Sequence, residues 1–165
     1  GFSNDVEGFL SFSLSVQNRR KSRIGYALEN HLEEIFNSCG VYYSRTKITE
    51  NKSKPDFIFP SVEKYHDNTF NPQLLTMLGV KNTCKDRWRQ VLSEADKIEY
   101  KHLLTLETAI SENQTNEMKD KKLQLVLPRS LHYTYNNSQQ SWIIDFNTFI
   151  NVVKEKQKNV YQIRH

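Results

Sequence analysis

Residues 74–81 read LLTMLGVK, an almost unbroken apolar run that ends on a lysine. A strand with one wet face alternates apolar and polar residues. A continuous run is covered on both sides and belongs at the centre of a sheet. This strand therefore requires layers packed above and below it, and the rest of the chain has to supply them.

The neighbouring segments do so. Ile24, Leu28, Leu32, Ile35, Phe36 and Cys39 recur at helical spacing across residues 20–39, with Gly40 as the stop. Residues 41–48 read as a strand, ENKSKP as a loop, and DFIF (residues 56–59) as a short strand closed by Pro60. SVEKYHDNTFNP reads as a long polar connection, with His66–Asp67 in a loop. After Lys81, Thr83 can cap a helix with Asp86 three residues on, running to about Asp96, with Trp88, Val91, Leu92 and Ala95 as its buried stripe. On that helix Glu94 and Arg87 fall together on one flank. A strand over residues 102–106, a polar helix over 111–121, a strand over 123–128 and a helix from Asp145 to about Lys156 complete the chain. The order predicts an α/β fold, a central mixed sheet flanked by helices. At 165 residues this is one domain with a core large enough to fold alone.

The formal net charge of +4 is too small to define a partner, but its placement is informative. Arg19, Arg20, Lys21 and Arg23 form one basic cluster, and Lys81, Lys85, Arg87 and Arg89 around Asp86 form a second, a distribution suited to a polyanion. Cys39 and Cys84 lie in no CxxC or Cys/His pattern, which argues for reduced thiols and against a zinc site. No apolar run is long enough for a membrane span, and Asp5 and Glu7 precede the short apolar N-terminal stretch, which is wrong for a signal peptide. A cytoplasmic protein is expected.

Four residues carry chemistry together: Glu29, Asp56, Lys81 and Glu94. Singly, Lys81 reads as a snorkelling lysine, Asp56 as a turn residue after Pro55, and the two glutamates as surface acids. Jointly, carboxylates and a lysine at the ends of neighbouring elements are what metal-dependent phosphodiester hydrolysis requires. Carboxylates of this kind hold a hard divalent cation, usually Mg2+, and the lysine orients or deprotonates water. A PD strand start followed by a strand ending in lysine is the skeleton of the PD-(D/E)xK nucleases, except that the place two residues before the lysine, usually acidic, holds Gly79.

RRKSRIGYALENHLEEIF, PDFIFP, VKNTCKDRWRQVLSEAD and KHLLTL together resemble the catalytic C-terminal domain of the EcoRII restriction endonuclease and its relatives. The likeness runs from about Arg19 to LQLVLP and on toward the last helix. It implies a restriction-endonuclease-like fold in which the second acid has moved onto the following helix as Glu94. Asp56 and Lys81 are then the catalytic aspartate and lysine, Glu29 the glutamate of the first helix, and Tyr65 a tyrosine near the active site. It implies CC/GG half-sites read by Lys85, Asp86 and Arg87. That assignment suits the chemistry: lysine and arginine donate to guanine, and aspartate accepts from cytosine N4. Arg19, Arg20 and Arg23 would contact phosphates. Cofactor and partners would be Mg2+, double-stranded DNA, a second copy in a twofold homodimer, and a cognate DNA methyltransferase in a prokaryotic restriction system. Relatives carry more chain before the first basic helix, so residues 1–18 read as the remnant of a longer N-terminal region, and residues 1–165 as a single catalytic endonuclease domain. Two other readings stand beside this one. A PD-(D/E)xK repair or recombination nuclease would follow DNA structure instead of sequence. A DNA-binding module that has lost cleavage would need Lys85 and Arg87 but not the acids.

Overall fold

The apolar run of residues 74–81 does sit at the middle of a sheet. The computed structural model describes residues 7–8, 24–45 and 55–161. Its strands are β1 (Ser44–Arg45), β2 (Phe57–Phe59), β3 (Thr76–Lys81), β4 (Lys101–Thr105) and β5 (Leu123–Val126), ordered β1-β2-β3-β4-β5. β1, β2 and β3 pair antiparallel, while β3, β4 and β5 pair parallel, so β3 is where the sheet changes sense. Every residue of β3 is buried except Lys81, which is half-buried. The sheet is therefore mixed, as expected.

Helix α1 (Ile24–Cys39) places Leu28, Leu32 and Phe36 in the core. It closes on Gly40 at φ +71, with the N–H of Gly40 on the Asn37 carbonyl and that of Val41 on the Phe36 carbonyl. Phe36 is the hub of an aromatic cluster, edge-on to Phe57 at 5.0 Å and to Phe59 at 5.1 Å. Phe146 and Phe149 of the C-terminal helix complete that cluster. Truncating such a buried ring costs about 3–5 kcal/mol.

The polar connection 61–72 is more ordered than its composition suggests. It forms helix α2 (Val62–His66), capped by Ser61, and a 3-10 turn (Pro72–Leu74), capped by Asn71. Tyr65, fully buried, anchors it. The central run accordingly becomes strand only at Thr76, because Leu74 still belongs to this turn. Of residues 41–48 only Ser44–Arg45 are strand among the described residues, and residues 46–54 lie outside them. β2 starts at Phe57, one residue after Asp56.

Helix α3 (Glu112–Asp120) starts on Ser111 and packs on β5. A 3-10 turn (Arg129–Thr134) and the short α4 (Asn137–Gln140) lead to α5 (Phe146–Tyr161). Asp145 caps α5 by accepting the Thr148 N–H at 2.8 Å. The helix continues past Lys156 because Gln157, buried, pairs with both backbone groups of Tyr42, at 2.9 and 2.8 Å. Among the described residues no helix is long and apolar enough to cross a membrane.

Candidate active site

The site is built where β2 and β3 stop pairing. Their last aligned pair is Phe57 with Leu78, and beyond it the Asp56 carboxylate accepts the Val80 N–H at 2.6 Å. This bond fixes Asp56 beside the end of β3, next to Lys81. On β3, side chains alternate faces, so Gly79 and Lys81 share one. A Cβ on Gly79 would stand 3.3 Å from Val91 Cγ2 and 3.6 Å from Leu103 Cδ1. The segment after Lys81 therefore packs directly over the position where PD-(D/E)xK chains usually carry an acid. Three residues past Val91, the same segment delivers Glu94 instead.

That segment is not the α-helix expected. It is a 3-10 run (Lys85–Ser93), and Glu94 follows it in extended conformation, its N–H on the Val91 carbonyl. The Thr83–Asp86 capping box does not form. Cys84 is the first capping position, and its N–H and that of Lys85 both go to the Glu107 carboxylate, at 2.5 and 3.1 Å. With the tighter 3-10 winding, Arg87 and Glu94 do not share a flank: Arg87 is exposed, and Glu94 turns inward. The predicted stripe holds for Trp88, Val91 and Ala95, which are fully buried.

The carboxylates sit close enough to disturb each other. Burial first, then the neighbouring Asp56 charge, pushes Glu94 up to about 7, against the pull of Lys81 and Lys101. Glu29 is also pushed up to about 7, by burial and then by Asp56, with Arg45 opposing. Asp56 is raised by burial, against the Val80 N–H and Lys81. Glu29 and Asp56 face each other closely enough that the charge of Asp56 opposes ionisation of Glu29. Glu94 Oε1 is buried with no partner. A buried carboxylate oxygen with no donor, beside a second acid, is chemically suited to a cation. No three His, Cys, Asp or Glu side chains gather as a metal cage among the described residues. One or two carboxylates, completed by water and phosphate oxygens, are nonetheless the usual way a protein holds magnesium. Asp56 and Glu94 fit that donor set.

Tyr65 takes part at one remove. Its hydroxyl accepts the Lys97 N–H at 3.2 Å and its carbonyl accepts Lys97 Nζ at 2.8 Å, so it holds the turn that follows Glu94. Two residues of this site were missed by the sequence reading. Lys101, buried at the start of β4, donates its ammonium to the carbonyls of Ala95 and Ile98 and so braces the same turn, in which Ala95 adopts φ +52. Arg45 lies 3.8 Å from Glu29 and pairs with Glu33 at 2.8 Å. A charged residue opening the apolar stretch KHLLTL was the available signal for Lys101. For Arg45 there was none.

Beyond Lys81, the side chains of Lys85, Asp86 and Arg87 are exposed together at the start of the 3-10 run. Arg87 is steadied by the Thr83 carbonyl at 2.8 Å. Arg89 lies over the Trp88 ring at 4.4 Å and pairs with Glu117, so it serves packing. Arg19, Arg20 and Arg23 lie outside the described residues.

The chain is similar to known proteins in both sequence and fold. The family model described as EcoRII C terminal matches residues 1–150. The type II restriction enzyme EcoRII of Escherichia coli is 47% identical over 151 residues, which is 91% of this chain and 37% of that protein. Among solved structures, metal-depleted Ecl18kI in complex with uncleaved DNA superposes with a TM-score of 0.73 at 22% identity, over 92% of this chain and 51% of that one. Its complex with uncleaved, modified DNA gives 0.72 at 20% identity, with the same coverage. This chain thus has the fold of Ecl18kI, a restriction-endonuclease fold, and spans about a third to a half of these relatives.

Proposed function

Because the chain belongs to the EcoRII C-terminal family, we propose that residues 1–165 act as the catalytic unit of a type II restriction endonuclease. Its substrate is double-stranded DNA bearing a short CC/GG site. The observation that carries this reading is the meeting of Asp56, Glu94 and Lys81 at the end of β3, four residues before the exposed Lys85–Asp86–Arg87 triplet.

Asp56 and Glu94 would hold Mg2+, whose chemistry is to polarise the scissile phosphate and lower the pKa of bound water. Lys81 lies beside both acids; it orients the attacking water and steadies charge developing on phosphorus-bound oxygens. Glu29, raised to about 7 by burial and by Asp56, adds a third carboxyl beside the metal ligands. Tyr65 and Lys101 keep Glu94 at its post through the turn that follows it. Lys85 and Arg87 donate to guanine edges, Asp86 accepts from cytosine, and Arg19, Arg20 and Arg23 bind phosphates. A twofold site calls for a homodimer, and a host's own DNA calls for protection by a cognate methyltransferase. The cytoplasm is where such a protein acts.

Digestion of unmethylated plasmid with Mg2+, followed by sequencing of the ends, tests the reading. Discrete fragments sharing a CC/GG end are expected. A smear, or cutting governed by DNA structure, overturns it in favour of a repair-type nuclease.

A further inference from the structure

We infer that Glu107 is a positioning residue for sequence discrimination: its carboxylate moulds the turn that presents Lys85, Asp86 and Arg87, without touching DNA itself. The inference rests on the base-reading role proposed for that triplet.

Glu107 stands two residues past β4 and is half-buried. One of its oxygens receives two consecutive N–H groups, from Cys84 and Lys85. Lys85 has φ +36, a left-handed value that a lysine rarely adopts. Such a conformation persists only where the surroundings over-determine it, and here the surroundings are this carboxylate. Glu107 is itself held at both backbone groups. Its N–H goes to Thr105 Oγ1 at 3.1 Å, and its carbonyl accepts the buried Tyr135 hydroxyl at 2.6 Å. Thr105 Oγ1 and Leu106 N–H both reach the Asn82 carbonyl, each at 3.2 Å, so the other end of the turn is tied to the same strand end. The turn between Lys81 and Arg87 is thus shaped from β4. Three exposed side chains with few contacts of their own inherit a fixed geometry from a residue some 20 positions away.

A negative group near DNA could also act by charge, and three substitutions separate the two roles. Glu107→Gln keeps an acceptor oxygen at the same reach and loses the charge. Glu107→Asp keeps the charge but is one methylene too short to reach both N–H groups. Glu107→Ala loses both. Each is measured in EDTA for affinity to a duplex carrying the end sequence found by plasmid digestion and to a scrambled duplex, alongside its melting temperature. The expected result is a cognate-to-scrambled ratio reduced about tenfold or more in Glu107→Asp and Glu107→Ala, and near wild type in Glu107→Gln, with scrambled affinity in Glu107→Asp unchanged. Loss of the ratio in Glu107→Gln, or its retention in Glu107→Asp, overturns the inference even if Glu107→Ala fails to fold. A wild-type protein that does not discriminate at all overturns the base-reading proposal instead, and this inference with it.

Discussion

The Asp56 carboxylate accepts the Val80 N–H at 2.6 Å, one residue before Lys81. One side chain therefore ends the pairing of β2 with β3 and also brings an acid to the lysine. The two roles can be separated. Asp56→Asn keeps an acceptor for Val80, whereas Asp56→Ala leaves that N–H unpaired, at a cost of about 1–3 kcal/mol. Denaturant titration should find Asp56→Asn at least as stable as the wild type and Asp56→Ala less stable, with cleavage lost in both. Cleavage by either variant would remove Asp56 from the metal site.

Gly79 lies under Val91, so an acid cannot simply be placed where PD-(D/E)xK chains usually carry one. Gly79→Asp brings a Cβ to 3.3 Å from Val91 and a charge into a buried strand. A loss of about 1–3 kcal/mol is expected. Combined with Glu94→Ala it should not restore cleavage. Recovery of activity in the double variant would mean that the segment yields and that the transfer of the acid is not enforced by packing.

Glu94 sits near 7 instead of the usual 4.5. A carboxyl raised in the folded state stabilises fully below about 4.5, and that contribution disappears as pH climbs through 7. Metal-free protein should therefore lose about 2 kcal/mol from this group between those limits, after allowance for screening by solvent. Glu94→Gln should lose none of it, and Ca2+ at pH 7.5 should raise the melting temperature of the wild type but not of Glu94→Gln. Equal stabilisation of both proteins by Ca2+ would place the cation elsewhere.

Cleavage at limiting Mg2+ should rise steeply from pH 6 to 8, since Glu29 and Glu94 both titrate near 7. Saturating Mg2+ should move the midpoint downward, because a cation favours the ionised acids. Lys81→Ala should be slower by orders of magnitude at every pH. Lys81→Arg should fail as well, because a planar guanidinium does not replace a compact ammonium. A Lys81 variant with normal rates at saturating Mg2+ would exclude Lys81 from the chemistry.

His102 is the second residue of β4, against the Phe149 ring at 5.1 Å, and burial lowers it to about 3. The unfolded chain takes up this proton near 6.5 and the folded one does not, so stability falls as pH drops below 6.5. Between pH 6.5 and 4.5 the loss should be about 2–3 kcal/mol, opposite in sign to the Glu94 effect over the same range. Denaturant titrations of His102→Gln at the two pH values should show that loss removed. An unchanged acid dependence would mean that other groups carry it.

The central strand, the apolar stripe of α1 and the succession of elements along the chain were legible from periodicity and local chemistry. LLTMLGVK reads as a covered strand, whereas Asp56, Lys81 and Glu94 drew attention only as a combination, with their roles implied by the family resemblance. Three things were decided by tertiary packing. Residues 85–93 wind as 3-10 because Val91 must sit on Gly79 and Glu107 must receive two successive N–H groups at their start. The polar stretch 61–72 is ordered because Tyr65 has a buried socket to fill. Lys101 and Arg45 join the site because β4 starts and β1 ends beside acids carried by other elements. Hydrophobic period and caps are properties of neighbouring residues and can be read in order along a chain. The closeness of two carboxylates and the acceptor that bends a turn depend on which strands lie side by side.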